Sequence, residues 1–263
     1  MNFQQFAEQH GLVIDSLILD RWVRVPTTDH PRKKNGAYIY DGRGGAIINF
    51  AMHEHHITFR SDEPYKPDPM MAERRRQAEQ NRLKQQQAAA DKAAFILKSS
   101  TLAPHPYLKR KGFDDAGYVW RDSLIIPMRV GRALVGCQLI APDGVKRFLK
   151  GQRTKGAELV IDNKGRDILV EGFATGLSVR RALKHARQRY RIHVCFSAGN
   201  MLEIAKTVRD PLVIADNDPM GVKVAEKIAS DFWIGLEGED FNDAEARAGT
   251  AAVADSLMRF FSK

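Results

Sequence analysis

The chain has 263 residues, 43% of them hydrophobic, which is enough for two modules with hydrophobic cores of their own. Two cysteines and the absence of any run near the roughly 20 apolar residues of a membrane span argue against a disulfide framework, a cysteine-based zinc site and a membrane segment. The first residues, MNFQQFAEQHGLVIDSL, lack a basic start and a long apolar stretch, so we expect a soluble, cytoplasmic protein.

The net charge of +9 is concentrated in the middle of the chain. Residues 70–155 carry 18 basic and 7 acidic side chains, whereas residues 1–69 carry 8 and 9, and residues 156–263 carry 15 and 16. This asymmetry favours a polyanion that is held by the middle segment and processed by the last one. A solvated basic surface without a ligand is the alternative.

Residues 1–66 are predicted to form a small α+β module, with a short helix followed by strands around RWVRVP, GAYIY, GAIINFA and HHITF. His53, Glu54, His55 and His56 suggest a metal site, but no third ligand on one face is evident, so we interpret them as an exposed strand end. Residues 67–98, rich in Ala, Gln, Arg and Glu, are predicted to form a helical linker.

Residues 99–155 are predicted to form a basic, β-rich subdomain that contains HPYLKRKGF, the strands SLIIPMRV and ALVGCQLI, and KRFLKG. In residues 156–263, short apolar runs alternate with helical segments, the last helix spanning about 243–261. That alternation predicts an α/β fold with a parallel sheet flanked by helices. Ligands of such sheets bind at the carboxyl ends of the strands.

Acidic residues follow three of these strands. Glu171 comes directly after ILV, where it can accept a proton or bind a metal, although any strand can end in a surface charge. Asp216 and Asp218 follow PLVIA, and alternation along an extended segment would point both carboxylates to one side. Oxygen ligands without His or Cys select Mg²⁺ or Mn²⁺, but Asp also forms turns and helix caps.

The third acidic segment is GEDFND, between the last strand and the last helix. Asp240 and Asp243 are candidate ligands of a second cation. Asn242 or Asp243 is equally suited to cap the helix, so capping by one residue and metal binding by another is the interpretation adopted here.

The ordered segments EGFATGLS, CFSAGN, VIADNDPMG and EDFND resemble the Toprim domain of bacterial-type primases, topoisomerases and several nucleases. The variant is similar to primases of phages and plasmids. HPYLKRKGF, LIIPMRV, QLIAPDG and KRFLKG resemble the region that precedes Toprim in those primases, so the similarity covers about residues 105–245.

The resemblance implies roles for particular residues. Glu171 would be the general acid/base, and Asp216 and Asp218 metal ligands, with Asp240 and Asp243 as further metal contacts. Basic residues before the Toprim segment would hold nucleotide phosphates or template, although each is also compatible with ordinary surface charge; they are Lys109, Arg110, Lys111, Lys146, Arg147 and Lys150.

We therefore expect a DNA primase, a nucleotidyltransferase that uses Mg²⁺ or Mn²⁺, with two ions and no zinc, to make short RNA primers from ribonucleoside triphosphates on single-stranded DNA. A phage or mobile element in a bacterial host is the expected source. The chain has no phosphate loop of the helicase type, so a replicative helicase would be a separate partner. A Toprim nuclease and a non-catalytic single-stranded nucleic-acid binding protein are the alternatives.

Overall fold

The structure is a computed structural model that describes residues 1–53, 55–61, 70–229 and 231–261. It divides the chain into two compact units, Met1–Gln80 and Asn81–Lys263. The three boundaries between the four segments proposed from the sequence remain predictions. The boundary at residues 66 and 67, like Glu54 of the histidine segment, lies outside the described residues.

The first unit packs a short helix on one face of a four-stranded antiparallel sheet. The Asn2 side chain accepts a hydrogen bond from the backbone N–H of Gln5, and the Gln5 side chain accepts one from the backbone N–H of Asn2, which fixes the start of the helix. Phe3 of this helix shares a buried cluster with Tyr38 and Ile47 of the sheet. The elements, with strands paired in chain order, are α1 Phe3–Gln9, β1 Val23–Val25, β2 Gly36–Tyr40, β3 Gly44–Asn49 and β4 Ile57–Arg60.

The histidine segment precedes β4 instead of extending it. The Nδ1 atom of His53 accepts a hydrogen bond from the backbone N–H of Asn49 at 3.1 Å. This bond belongs to the turn that follows β3, and β4 begins at Ile57, the third residue of the predicted HHITF run.

A single long helix, α2 Met71–Lys98, crosses the division between the two units. Most of it is exposed, as its polar composition predicts. Its last turns bury Ala89, Ala93 and Ile96 in a cluster with Ile125 and Cys137, so the end of the helix belongs to the core of the second unit.

The second unit contains an antiparallel sheet in which five strands pair in chain order. Its two longest strands form a hairpin around Gly131, which has a φ of +58°. The two short strands at the start of this sheet are absent from the sequence prediction because they carry little apolar periodicity. The elements are β5 Thr101–Ala103, α3 Pro106–Arg110, β6 Gly117–Trp120, β7 Ser123–Val130, β8 Ala133–Ile140 and β9 Lys146–Phe148.

The rest of the second unit is built on a five-stranded mixed sheet. Its strands are β10 Leu159–Asp162, β11 Arg166–Val170, β12 Tyr190–Val194, β13 Leu212–Ala215 and β14 Trp233–Ile234, in the order β10-β12-β11-β13-β14. All neighbouring pairs are parallel except β10 and β12, so the expectation of a wholly parallel sheet needs this correction. The α/β class itself is as predicted.

Helices cover both faces of the mixed sheet, as continuous apolar strands require. One face carries α4 Phe173–His185, α7 Phe241–Ala248 and α8 Thr250–Met258, and the other carries α5 Ala198–Ala205 and α6 Pro219–Ile228. The prediction of one last helix over about 243–261 is wrong. Gly249 has a φ of +84°, which ends α7 and starts a new helix.

The order of the strands creates a switch point. The chain passes from β11 to β12 on one side and then to β13 on the other side of β11. A crevice therefore opens at the carboxyl ends of β11 and β13, the usual ligand position in such sheets. Among the described residues, no helix is long and apolar enough to cross a membrane.

Candidate active site

The crevice at the switch point contains a cavity of about 520 Å³. Glu171 and Asp216 follow β11 and β13, whose last residues are in register, with Val170 opposite Ile214. Both carboxylates lie on the cavity wall and are half-buried. The charged residues that line it are Glu171, Asp216, Asp240, Asp143, Arg110, Lys111 and Lys146.

Glu171 lies in an environment that favours its protonated form. Burial, together with the negative charge of Asp218, raises the pKa of Glu171, while Lys146 and a hydrogen bond from the backbone N–H of Ala198 act in the opposite direction. Ala198 is the first residue of α5, so the helix start orients the carboxylate. A carboxylate with a raised pKa and a fixed orientation is suited to accept a proton.

Asp216 is the most strongly perturbed carboxylate of the cavity. Burial raises its pKa to about 7, with further contributions from Asp240, Glu171 and Asp218. Its Oδ1 atom is buried and has no hydrogen-bond partner among the described residues. A buried oxygen without a partner is costly, and a cation would neutralise it.

Asp218 lies outside the cavity wall. Its Oδ1 accepts hydrogen bonds from the backbone N–H groups of Met220 and Gly221, so it caps α6. The strand ends at Ala215, and the N–H of Asp218 bonds to the carbonyl of Asp216 at 2.9 Å. The sequence predicted an extended segment in which the Asp216 and Asp218 carboxylates point to the same side. The backbone instead forms a tight turn there, so that prediction is wrong. Asp218 is exposed, yet close enough to raise the pKa of both Glu171 and Asp216.

Asp240 and Asp243 form a capping box at the start of α7. Asp240 accepts a hydrogen bond from the N–H of Asp243 at 2.9 Å, and Asp243 accepts one from Asp240 at 3.4 Å. The cap is thus Asp240 and not Asn242 or Asp243 as expected. Asn242 is buried and donates to the Lys111 carbonyl and the Ser178 hydroxyl. Only Asp240 of the pair lines the cavity.

The predicted basic residues divide into two groups. Arg110, Lys111 and Lys146 line the cavity, whereas Lys109, Arg147 and Lys150 do not. Arg147 follows Lys146 in β9, so its side chain points to the opposite face of the strand. The Nζ of Lys111 lies 3.3 Å from Asp243 and 4.0 Å from Asp240, which places a cation beside the acidic segment.

Two residues that support the cavity were missed in the sequence. Tyr107 is buried in its wall, where burial and the charge of Asp240 raise the pKa of the phenol to about 12. Gly221 lies against the backbone of Asp216, and a Cβ atom there would come within 2.2 Å of the Asp216 carbonyl oxygen. Tyr107 lies in HPYLKRKGF and Gly221 in DNDPMG, but neither carries a charge that would have marked it.

The two acidic loops are held together by the backbone. The N–H of Asn217 bonds to the carbonyl of Glu239 at 3.0 Å, and the N–H of Gly238 bonds to the carbonyl of Asn217 at 2.9 Å. The Asn217 side chain donates to the Gly235 carbonyl. These bonds keep the loop that carries Asp216 beside the loop that carries Asp240.

The carboxylates of the cavity suit a hard divalent cation whose coordination is completed by other ligands. Within the described parts of the chain, no group of three or more His, Cys, Asp or Glu side chains is arranged to hold a metal ion by itself. Mg²⁺ is usually bound through one or two carboxylates together with water and substrate phosphates. The partnerless Oδ1 of Asp216, with Asp240 and Glu171 on the same wall, meets that requirement.

No protein-family model matches the chain. Among solved structures, it is similar to one chain of a structure described as bacteriophage T7 lagging-strand DNA polymerase interacting with primase domains of two gp4 subunits bound to an RNA/DNA hybrid and dTTP. The identity is 14% and the TM-score 0.41, with 62% of this chain and 90% of the other covered. A similarity this low does not assign a function, and membership of the Toprim family stays a prediction.

Proposed function

We propose that this chain is a primase-type nucleotidyltransferase that joins ribonucleotides on a single-stranded DNA template. The observation that carries the proposal is the cavity at the switch point. The carboxylates and the cations that line this one cavity are Glu171, Asp216 and Asp240, and Lys146, Lys111 and Arg110. Phosphoryl transfer needs both, since metal ligands and phosphate contacts must meet at one point.

Asp216, with Asp240 beside it, would hold the cation. Mg²⁺ or Mn²⁺ bound there would supply positive charge to the triphosphate and its leaving group. A second ion could use Asp218, whose Oδ2 lies outside the capping bonds to the helix. It could also use the Oδ1 of Asp243, in place of its contact with Lys111 at 3.3 Å. The described residues that line the cavity offer oxygen ligands and no Cys or His, a set that suits Mg²⁺ or Mn²⁺.

These positions support the following reaction. The 3′-hydroxyl oxygen of the growing primer attacks the α-phosphorus of a ribonucleoside triphosphate, and the bond from that phosphorus to the bridging oxygen breaks, releasing pyrophosphate. Glu171, oriented by the Ala198 N–H, accepts the hydroxyl proton. Lys146 and Arg110 hold phosphate oxygens by charge-assisted hydrogen bonds.

The proposed partners are those implied by the resemblance: single-stranded DNA, ribonucleoside triphosphates and a separate helicase. Lys109, Arg147 and Lys150, which lie outside the cavity, would contact the template backbone and not the incoming nucleotide.

The test is to incubate the full chain with single-stranded DNA, labelled ribonucleotides and Mg²⁺ or Mn²⁺, and to follow both product and template. We expect oligoribonucleotides from the wild type and from Asp255→Asn, a matched control on an exposed residue of α8. Glu171→Gln and Asp216→Asn should make none. Shortening of the template without synthesis would instead establish a nuclease, and binding without turnover a non-catalytic protein.

A further inference from the structure

The sheet of the first unit has a face that α1 does not cover. Val25, Tyr38 and Ile47 point toward the helix and are buried. Arg24 lies between Val23 and Val25, whose side chains pack in the core. The Arg24 side chain therefore points to the other face, and its partner in register is Ala37. We call this the open face of the sheet.

Large aromatic side chains stand exposed on the open face. Trp22, two residues before Arg24, is 51% exposed, and Phe50, just after β3, is 48% exposed. The Arg24 guanidinium lies over the Phe50 ring at 4.2 Å from its centroid. The Trp22 ring meets the His56 ring edge-on, with centroids 6.3 Å apart. These contacts hold the two aromatic rings in place while leaving about half of each side chain in solvent.

The loop beside these rings is strongly basic. The N–H of Phe50 donates to the carbonyl of Asn35 at 3.0 Å, which places the Phe50 backbone next to the loop between β1 and β2. Residues 21–34 carry five basic side chains and one acidic side chain. That carboxylate, Asp29, is engaged by His30 at 3.0 Å and Asn49 at 3.4 Å. Lys33 and Lys34 are exposed.

We propose that the open face binds single-stranded nucleic acid, with bases stacked on Trp22 and Phe50 and phosphates contacted by Arg24, Lys33 and Lys34. Exposed aromatic rings beside cations suit a ligand that alternates flat rings and negative charges. An acidic peptide would match the charge but would leave the exposed rings without partners. This site lies in the first unit and does not depend on the chemistry proposed for the second.

The test measures binding of a fluorescent oligothymidylate to the full chain, without ribonucleotides or divalent metal. Stacking on one base contributes enough that Trp22→Ala and Phe50→Ala should each weaken binding about fivefold or more. Trp22→Phe should keep most of the affinity. It should also abolish the quenching of tryptophan emission by the oligonucleotide, because Trp22 is one of three tryptophans and the one proposed to stack.

Charge variants supply the second measurement. Lys33→Glu should weaken binding and lower its salt dependence, whereas Lys184→Glu, the same change at an exposed position of α4, should do neither. Asp255→Asn, the exposed control in α8, should bind like the wild type. Because the measurement contains no metal and no ribonucleotide, failure of the catalytic proposal would leave this one intact. Unchanged oligonucleotide affinity in both alanine variants would overturn the proposal. Binding of polyglutamate with the same affinity as the oligonucleotide would also overturn it. So would a wild-type dimer that the Trp22→Ala substitution converts to a monomer.

Discussion

Gly221 and Asp216 are in backbone contact: a Cβ atom on Gly221 would lie 2.2 Å from the carbonyl oxygen of Asp216 and 3.1 Å from its carbonyl carbon. Gly221 belongs to the first turn of α6, and Asp218 caps that turn. The position of Asp216 is thus coupled to the position of the first turn of α6, because their backbone atoms are in contact.

Gly221→Ala should therefore displace Asp216 and reduce primer synthesis about 100-fold, the scale of loss that a displacement near 1 Å can cause. Gly199→Ala is the matched control, since nothing lies within 4 Å of a Cβ there and alanine is the better helix former in α5. Initial rates and circular dichroism should be measured for both. Full activity in the Gly221 variant would show that the contact does not position Asp216.

Lys146 and Arg147 are neighbours on opposite faces of β9, and only Lys146 lines the cavity. Lys146→Ala should raise the KM for ribonucleotides and lower kcat by tenfold or more, because it removes a cation from the triphosphate. Arg147→Ala should mainly weaken template binding. Steady-state kinetics at varied nucleotide and template concentrations distinguish the two effects, and equal losses in both variants would contradict the assignment.

Arg181 joins α4 to α7 through a two-point ion pair, with its Nε and Nη2 atoms each 2.6 Å from a carboxylate oxygen of Glu245. Glu245 is buried, so Arg181→Ala should cost about 2–3 kcal/mol of unfolding free energy by leaving that carboxylate without its main partner. Arg180→Ala breaks a pair with the exposed Asp115 and should cost less than about 1 kcal/mol. Urea denaturation compares the two, and similar losses would refute the distinction.

His193 is buried between two carboxylates, at 2.7 Å from Glu158 and 3.0 Å from Asp167. Burial alone lowers the pKa of His193, but the hydrogen bonds to Glu158 and Asp167 raise it overall. The charged imidazole should therefore contribute to the free energy of unfolding in full below about pH 6.5, the ordinary pKa of histidine. This contribution should be lost as the pH rises through the raised pKa of the folded state.

The Tm difference between the wild type and His193→Gln measures this contribution. It should be large at pH 5.5 and shrink toward pH 9, because glutamine can keep hydrogen bonds but not the charge. A difference that is constant or grows with pH would show that His193 is neutral in the fold.

Strands and helices with strong apolar patterns were predictable, and β7, β8, β11 and β13 lie where their sequences indicate. Features that depend on residues far apart in the sequence were not predictable. The strand β10, LVID, is as apolar as the parallel strands, and only its pairing with β12 reveals its antiparallel direction. The break of the last helix depends on one residue, Gly249, whose positive φ is not required by its neighbours in sequence.

The candidate site was likewise predictable in part. The sequence placed Glu171 and Asp216 at strand ends, and the strand order brings those ends together at the switch point. It left open whether Asp218 binds a metal or caps a helix, since both roles use the same residue type, and the structure shows that Asp218 caps α6. Gly221 was missed because close backbone packing leaves no signal in composition.

Binding of Mn²⁺, followed by the electron paramagnetic resonance signal of the free ion, tests most directly whether the carboxylates of the cavity form a metal site. The titration should include a ribonucleoside triphosphate, with uptake by the nucleotide alone subtracted. We predict added uptake by the wild type and by Asp255→Asn, and its loss in Asp216→Asn. Equal uptake by Asp216→Asn and the wild type would contradict the account.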